Sequence, residues 1–213
     1  MKKILLISLL LVASIVTKVS AQLFVGGSLN LNTSKEKYSF NSTTQDGQKT
    51  FSIGFMPKVG YIINNKLAFG VGFGLSSSKT TTPKEISTSG EEEIDKSFDW
   101  AFSPFARYYF ARSGNFSLFG EADLALGGGN SKSSIGGTTD EGPKSITVLI
   151  GVSPAVSYDL SNKFTIEASM GGINYNVTTS KQTIGEDKEK YTTSGFNFTV
   201  GLNNLTFGGI FKF

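Results

Sequence analysis

From residue 22 onward, apolar residues recur at every second position over long stretches, the period of a β-strand. Polar, glycine-rich and charged segments interrupt the alternation. The pattern predicts eight strands, at about 23–40, 50–63, 67–79, 96–110, 116–130, 145–159, 163–180 and 191–213. Two kinds of connection alternate between them. Asn64-Asn65-Lys66, Ala111 to Asn115 and Ser161-Asn162 are tight and carry hairpin-turn residues. The segments 41–49, 80–95, 131–144 and 181–190 are longer and hydrophilic, and are expected as loops.

The apolar side of each strand decides what surrounds it. In 96–110, Phe98, Trp100, Phe102, Pro104, Ala106, Tyr108 and Phe110 share one face, and Asp99, Ser103, Phe105 and Arg107 lie on the other. In 116–130, Phe116, Leu118, Ala122, Leu124 and Leu126 oppose Glu121 and Asp123. Strands 50–63, 145–159 and 163–180 repeat the division, with Lys58 and Glu167 on polar faces. Lys58, Arg107, Glu121, Asp123 and Glu167 all stand a similar distance from the tight turns. On a lipid-facing position, Arg or Lys near the midplane costs about 2–4 kcal/mol. The charged faces are therefore expected to point into a lumen, where unpaired charge is also unfavourable. The pattern predicts a salt-bridge layer there, structural in role, made by these five residues.

Together these features predict an all-β fold, an eight-stranded antiparallel up-and-down transmembrane β-barrel. Its tight turns and both termini lie on the periplasmic side. Aromatics collect at both strand ends: Phe24, Tyr61, Tyr108, Phe110, Phe116, Tyr158, Phe164, Phe211 and Phe213 at one, and Phe51, Phe98, Trp100, Tyr175 and Phe196 at the other. Such rings anchor at bilayer interfaces. Pro57, Pro104 and Pro154 lie 47 and 50 residues apart, each four before a tyrosine. Proline removes a ladder hydrogen bond, so each is expected at a bulge or broken pairing near the periplasmic rim. The apolar phase changes in the last strand, from even (Phe196, Phe198, Val200, Leu202) to odd (Leu205, Phe207, Phe211, Phe213). Asn203-Asn204 is then a bulge, or alternatively a turn, and the bulge keeps the strand count even.

Composition adds an address. Residues 1–21 have a basic start (Lys2, Lys3), an apolar run and a Val19-Ser20-Ala21 ending, the features of a secretory signal peptide cleaved before Gln22. The barrel domain is then 22–213. The chain's net charge of +3 comes from 20 basic and 17 acidic residues, and three of the lysines (2, 3 and 18) lie in the leader. The remainder is neutral, with no basic patch for nucleic acid. Without cysteine there is no lipidated N-terminal cysteine, no disulfide scaffold and no thiol nucleophile. Without histidine, imidazole general-base chemistry is unavailable. No cofactor or metal site is implied.

The stretches Ser103-Pro-Phe-Ala-Arg-Tyr-Tyr-Phe110 and Leu118-Phe-Gly-Glu121, with the aromatic ending at Leu205, Phe207, Phe211 and Phe213, resemble the outer-membrane protein β-barrel domain family. The resemblance covers about 22–213. It implies residence in a Gram-negative outer membrane, and a terminal strand that signals to the outer-membrane assembly machinery. It does not imply a mechanism, because one fold serves many activities.

The expected function is non-enzymatic: envelope structure, or surface interaction through extracellular loops. Glu91-Glu92-Glu93 and Glu186-Asp187-Lys188-Glu189 are candidates to meet lipopolysaccharide through divalent cations, or a host or phage surface. The expected partners are outer-membrane lipid and lipopolysaccharide, and a monomer is expected. The alternative is a narrow channel for ions or small solutes. A lipid-modifying enzyme and a soluble lipocalin-like barrel rank behind both, the latter because it would face its apolar residues inward.

Overall fold

The computed structural model describes residues 22–40, 43–64, 66–184, 187–199 and 205–213. The leader and Asn203-Asn204 lie outside the described residues. Ten strand segments form one antiparallel sheet: β1 (Gln22–Phe40), β2 (Thr43–Ile62), β3 (Leu67–Thr82), β4 (Glu93–Ser113), β5 (Phe116–Ile135), β6 (Thr138–Asp159), β7 (Phe164–Met170), β8 (Gly172–Ile184), β9 (Asp187–Thr199) and β10 (Leu205–Lys212). β7 and β8 both pair with β6, and β10 and β9 pair in turn with β7 and β8. The ten segments therefore occupy eight positions of a ring. The β1–β10 ladder, from Phe24 opposite Lys212 to Leu29 opposite Phe207, closes it. No described helix is long and apolar enough to cross a membrane, and the crossing elements are strands.

Local chemistry sets the tight turns. The Asn64 side-chain oxygen accepts from the amides of Lys66 (2.8 Å) and Leu67 (2.9 Å). Gly114 takes φ 56°, where a Cβ would be strained. The Ser161 hydroxyl accepts from the amides of Lys163 and Phe164. These turns share one end with the start of β1 and the end of β10, where the Phe213 amide donates to the Leu23 carbonyl at 2.9 Å. Short turns mark the periplasmic side of such barrels.

The prolines interrupt pairing on one flank only. The β2–β3 ladder skips from Phe55–Leu75 to Lys58–Gly72, and the β4–β5 ladder from Phe102–Leu126 to Phe105–Asp123, while the other neighbours of Pro57 and Pro104 stay in register. Beside Pro154, the seventh wall position divides into β7 and β8 around Gly171, at φ 67°. There the lipid-facing parity changes from Phe164, Ile166 and Met170 to Ile173 and Tyr175. The eighth position changes parity at the same height, from Phe196 and Phe198 on β9 to Phe207 and Phe211 on β10. β9 and β10 run in the same direction, both antiparallel to β7 and β8.

Two expectations need correction. The hydrophilic residues 43–49, 131–135, 138–144, 181–184 and 187–190 are not loops: pairing continues along them, to Phe40–Thr43, Ile135–Thr138 and Ile184–Asp187. Their Thr, Ser and Lys residues keep the two-residue alternation, and β-branched Thr favours strands. Gly136 and Gly137, both at positive φ, then reverse the chain in two residues. Among the described residues, only 83–92 leaves the ladder for longer. A tilted membrane strand needs about 9–11 residues, and β6 has 22, so the wall continues well above the bilayer as hairpins. The second correction is Phe24. It is fully buried inside the barrel instead of standing in the interfacial belt. Its even number places it opposite the odd, lipid-facing Val25, Leu29 and Leu31. The other belt aromatics are exposed on the outer wall.

Candidate functional site

Inner-face positions toward the tight-turn end carry the largest side chains. Arg107 on β4 stands directly across from Glu121 on β5. Its Nε donates to Glu121 Oε2 at 2.6 Å, and its Nη1 and Nη2 clamp the Glu167 carboxylate of β7 at 2.7 and 3.0 Å. Lys58 on β2 reaches the other Glu121 oxygen at 2.5 Å. Two cations and two anions thus neutralise one another across the lumen. Arg107 is 1% exposed, and the bidentate fork is the strong geometry for an Arg–carboxylate pair.

Aromatic rings complete the layer. The Arg107 guanidinium carbon lies 5.4, 5.1 and 4.8 Å from the ring centres of Phe24, Phe105 and Phe119, within cation–π range. Tyr109 packs against Phe119 with the rings tilted and their centres 5.1 Å apart. Glycine makes room for these rings. A Cβ on Gly60 would fall 2.7 Å from the Phe24 ring, and one on Gly70 would fall 2.5 Å from the Phe105 ring.

Asp123 is not brought into this network. It lies two residues nearer the outer end of β5, across from Gly151, and makes no ion pair among the described residues. Its surroundings are open. A cavity of about 340 Å³ runs past Asp123, Gly151 and Asn174, and one of about 370 Å³ past Asn30, Gly54, Gly74, Asp99 and Ala101. Below the network a smaller space of about 140 Å³ is lined by Tyr109, Arg112, Ser157 and Asp159. The lumen is therefore most open above the network, narrowest at the Arg107 layer, where a space of about 100 Å³ lies beside Lys58, Arg107, Glu121, Ser153 and Glu167, and narrow again beneath it.

Sequence reasoning missed a second ion pair at the periplasmic rim. Lys212 on β10 donates to Asp159 at 2.8 Å, and the Thr165 hydroxyl donates to the same carboxylate. The signal was available in parity: Lys212 alternates with the outward Phe211 and Phe213. Leu205 is half-buried, while Phe207, Phe211 and Phe213 are exposed on the outer wall of the strand that closes the ring. Among the described residues, no group of three or more acidic side chains is placed to hold a metal ion.

Comparison with known proteins agrees with the architecture. A family model described as outer membrane protein beta-barrel domain matches residues 6–203. No curated protein matches the sequence significantly. Among solved structures, a major outer membrane protein of Thermus thermophilus aligns at 11% identity over 91% of this chain and 100% of its own, with TM-score 0.52. OprG of Pseudomonas aeruginosa aligns at 10% identity over 92% and 97%, with TM-score 0.48. The attachment invasion locus protein Ail of Yersinia pestis aligns at 16% identity over 91% and 98%, with TM-score 0.41.

Proposed function

The chain belongs to the outer membrane protein β-barrel domain family, and from that premise we propose that its barrel is a closed, non-enzymatic pedestal for surface hairpins. It is an outer-membrane barrel protein, and the finer role rests on one observation. Arg107, with Lys58, Glu121 and Glu167, bridges the lumen at a single level beside a collar of Phe24, Phe105 and Phe119, leaving a space of about 100 Å³. Eight strands leave an interior that side chains can fill, and at the Arg107 level they reduce it to a space of about 100 Å³. The parts free to meet other molecules are then the hairpins above the bilayer.

Planar-bilayer recording tests this. The wild-type protein is expected to insert without discrete openings, and steady single-channel steps would replace the pedestal by a channel. That second reading draws on the cavities of about 370 and 140 Å³ above and below the network, which a rearranged Arg107 would join.

The outward aromatics of the last strand support the assembly role that the family resemblance implies for Leu205, Phe207, Phe211 and Phe213. Deleting Phe213 is expected to lower the folded protein in outer-membrane fractions several-fold while leaving refolding of purified chain in detergent unchanged. Equal outer-membrane levels would remove the role.

A further inference from the structure

The lysines of the outer hairpins line up across the wall. Lys79, Lys96 and Lys132 are direct cross-strand neighbours on β3, β4 and β5. Lys144, Lys181 and Lys190 form a second such row on β6, β8 and β9. All six are exposed, and none makes an ion pair within the described residues. Lys132 also stands opposite Glu141 without pairing with it. Like charges directly opposite each other destabilise a sheet, so two rows of three lysines call for anions from elsewhere. A third facing pair shows the remedy at work. Lys35 and Lys49 are opposite each other, and Asp46 bridges them at 3.0 and 3.1 Å. Their ammonium groups hold the Asp46 carboxyl below the usual carboxylate range.

Direction identifies the missing anion. Each lysine of the two rows has the parity of the lipid-facing residues of its strand. Lys96 follows the face of Phe98 and Trp100, Lys144 that of Ile146 and Val148, and Lys181 that of Ile173 and Tyr175. They point away from the lumen. Lys96 and Lys144 stand one pleat, about 7 Å along the strand, beyond Phe98 and Ile146. That is the height of a headgroup layer. An ammonium on a flexible stem suits phosphate as a point charge.

We propose that the two lysine rows are a docking girdle for phosphate-bearing headgroups of outer-leaflet lipid. The proposal rests on the membrane-barrel reading. It replaces the divalent-cation bridge expected at Glu91-Glu92-Glu93 with direct ammonium–phosphate contact.

The test uses the full chain in phosphatidylcholine vesicles doped with lipid A or dephosphorylated lipid A, beside a K79Q/K96Q/K132Q variant. Lipid retained on the repurified protein is counted. At about a fivefold effect per lysine near an anionic surface, one row should account for roughly 100-fold in lipid A retention at low salt. Dephosphorylated lipid A should be retained equally weakly by both proteins. In zwitterionic detergent the variant should unfold at a higher temperature than the wild type, because the facing charges are gone, and lipid A should reverse that order. Equal retention of lipid A by both proteins would overturn the girdle. So would stabilisation of the wild type by inorganic phosphate to the same degree as by lipid A. Flotation separates the two levels of inference. A wild-type protein that floats with vesicles but ignores lipid A sinks the girdle alone, and one that does not float sinks the barrel reading with it.

Discussion

Replacing Arg107 by methionine is expected to destabilise the barrel by about 3–5 kcal/mol, the range for removing one partner of a buried ion pair. Methionine keeps a flexible apolar stem but ends short of the guanidinium, so the cation–π contacts with Phe24, Phe105 and Phe119 are lost together with the ion pairs. What changes is charge. Glu121 and Glu167 remain in the lumen with Lys58 as their one near cation, and Lys58 reaches only Glu121. Glu167 loses both arms of its fork. The variant R107M/E167Q separates this cause from general disruption. It leaves Lys58 paired with Glu121 and no bare carboxylate, so it should recover the larger part of the loss, a non-additivity expected of residues in one network. The chain has a single tryptophan, Trp100 on the outer wall. Its fluorescence during urea unfolding in lipid vesicles reads all three proteins directly. R107M within about 1 kcal/mol of wild type would mean that the network contributes little to holding the wall together.

The sequence made this network partly legible, because charge on one strand face is conspicuous when the other face is apolar. Lys58, Arg107, Glu121 and Glu167 could be placed at one level by counting from the tight turns. Asp123 shared the parity and nearly the height, but parity carries no angular information. Which of two acids on the same strand meets an arginine depends on stagger, and Arg107 lies directly opposite Glu121 in the β4–β5 register. The aromatic collar was less visible. Phe24 lies at the start of β1, where alternation has had no room to establish a phase, and it looked like an interfacial anchor. Phe119 lies between Leu118 and Gly120, and only the longer series through Glu121 and Asp123 reveals that it points inward.

The loops illustrate a different limit. Their hydrophilicity indicates water on both faces, which is compatible with either coil or a solvated hairpin. Cross-strand pairing of Thr, Ser and Lys settles the matter, and pairing is a property of two segments that neither shows alone. The lysine rows belong to the same class. Lys79, Lys96 and Lys132 are far apart in sequence and become neighbours only through two registers. The break of the seventh strand at Gly171 was missed for a related reason: Gly171-Gly172 reads as a permissible strand interior until the parity on either side is compared.

The second large effect tests the orientation of the wall, on which the network and the girdle both depend. Leu124 and Ala125 are adjacent on β5; Leu124 is 52% exposed on the outer face, and Ala125 faces the lumen. Leu124→Arg puts a guanidinium into hydrocarbon and is expected to destabilise the barrel in lipid vesicles by about 2–4 kcal/mol. Ala125→Arg carries the same charge and volume one residue away. It enters a hollow part of the lumen on the face of Asp123, which has no partner among the described residues, so it should unfold within about 1 kcal/mol of wild type. Net charge and chain length are the same in both variants, and strand position differs by a single residue. The inserted side chain is the same, so the contrast reads its direction once the leucine lost in Leu124→Arg is matched by a Leu124→Ala control. In detergent micelles, which let water reach the outer wall more readily than a bilayer does, the Leu124→Arg penalty should shrink. Should Ala125→Arg prove the more damaging of the two in vesicles, the oily and charged faces would have to be exchanged. The Arg107 layer would then lie on the outside of the wall.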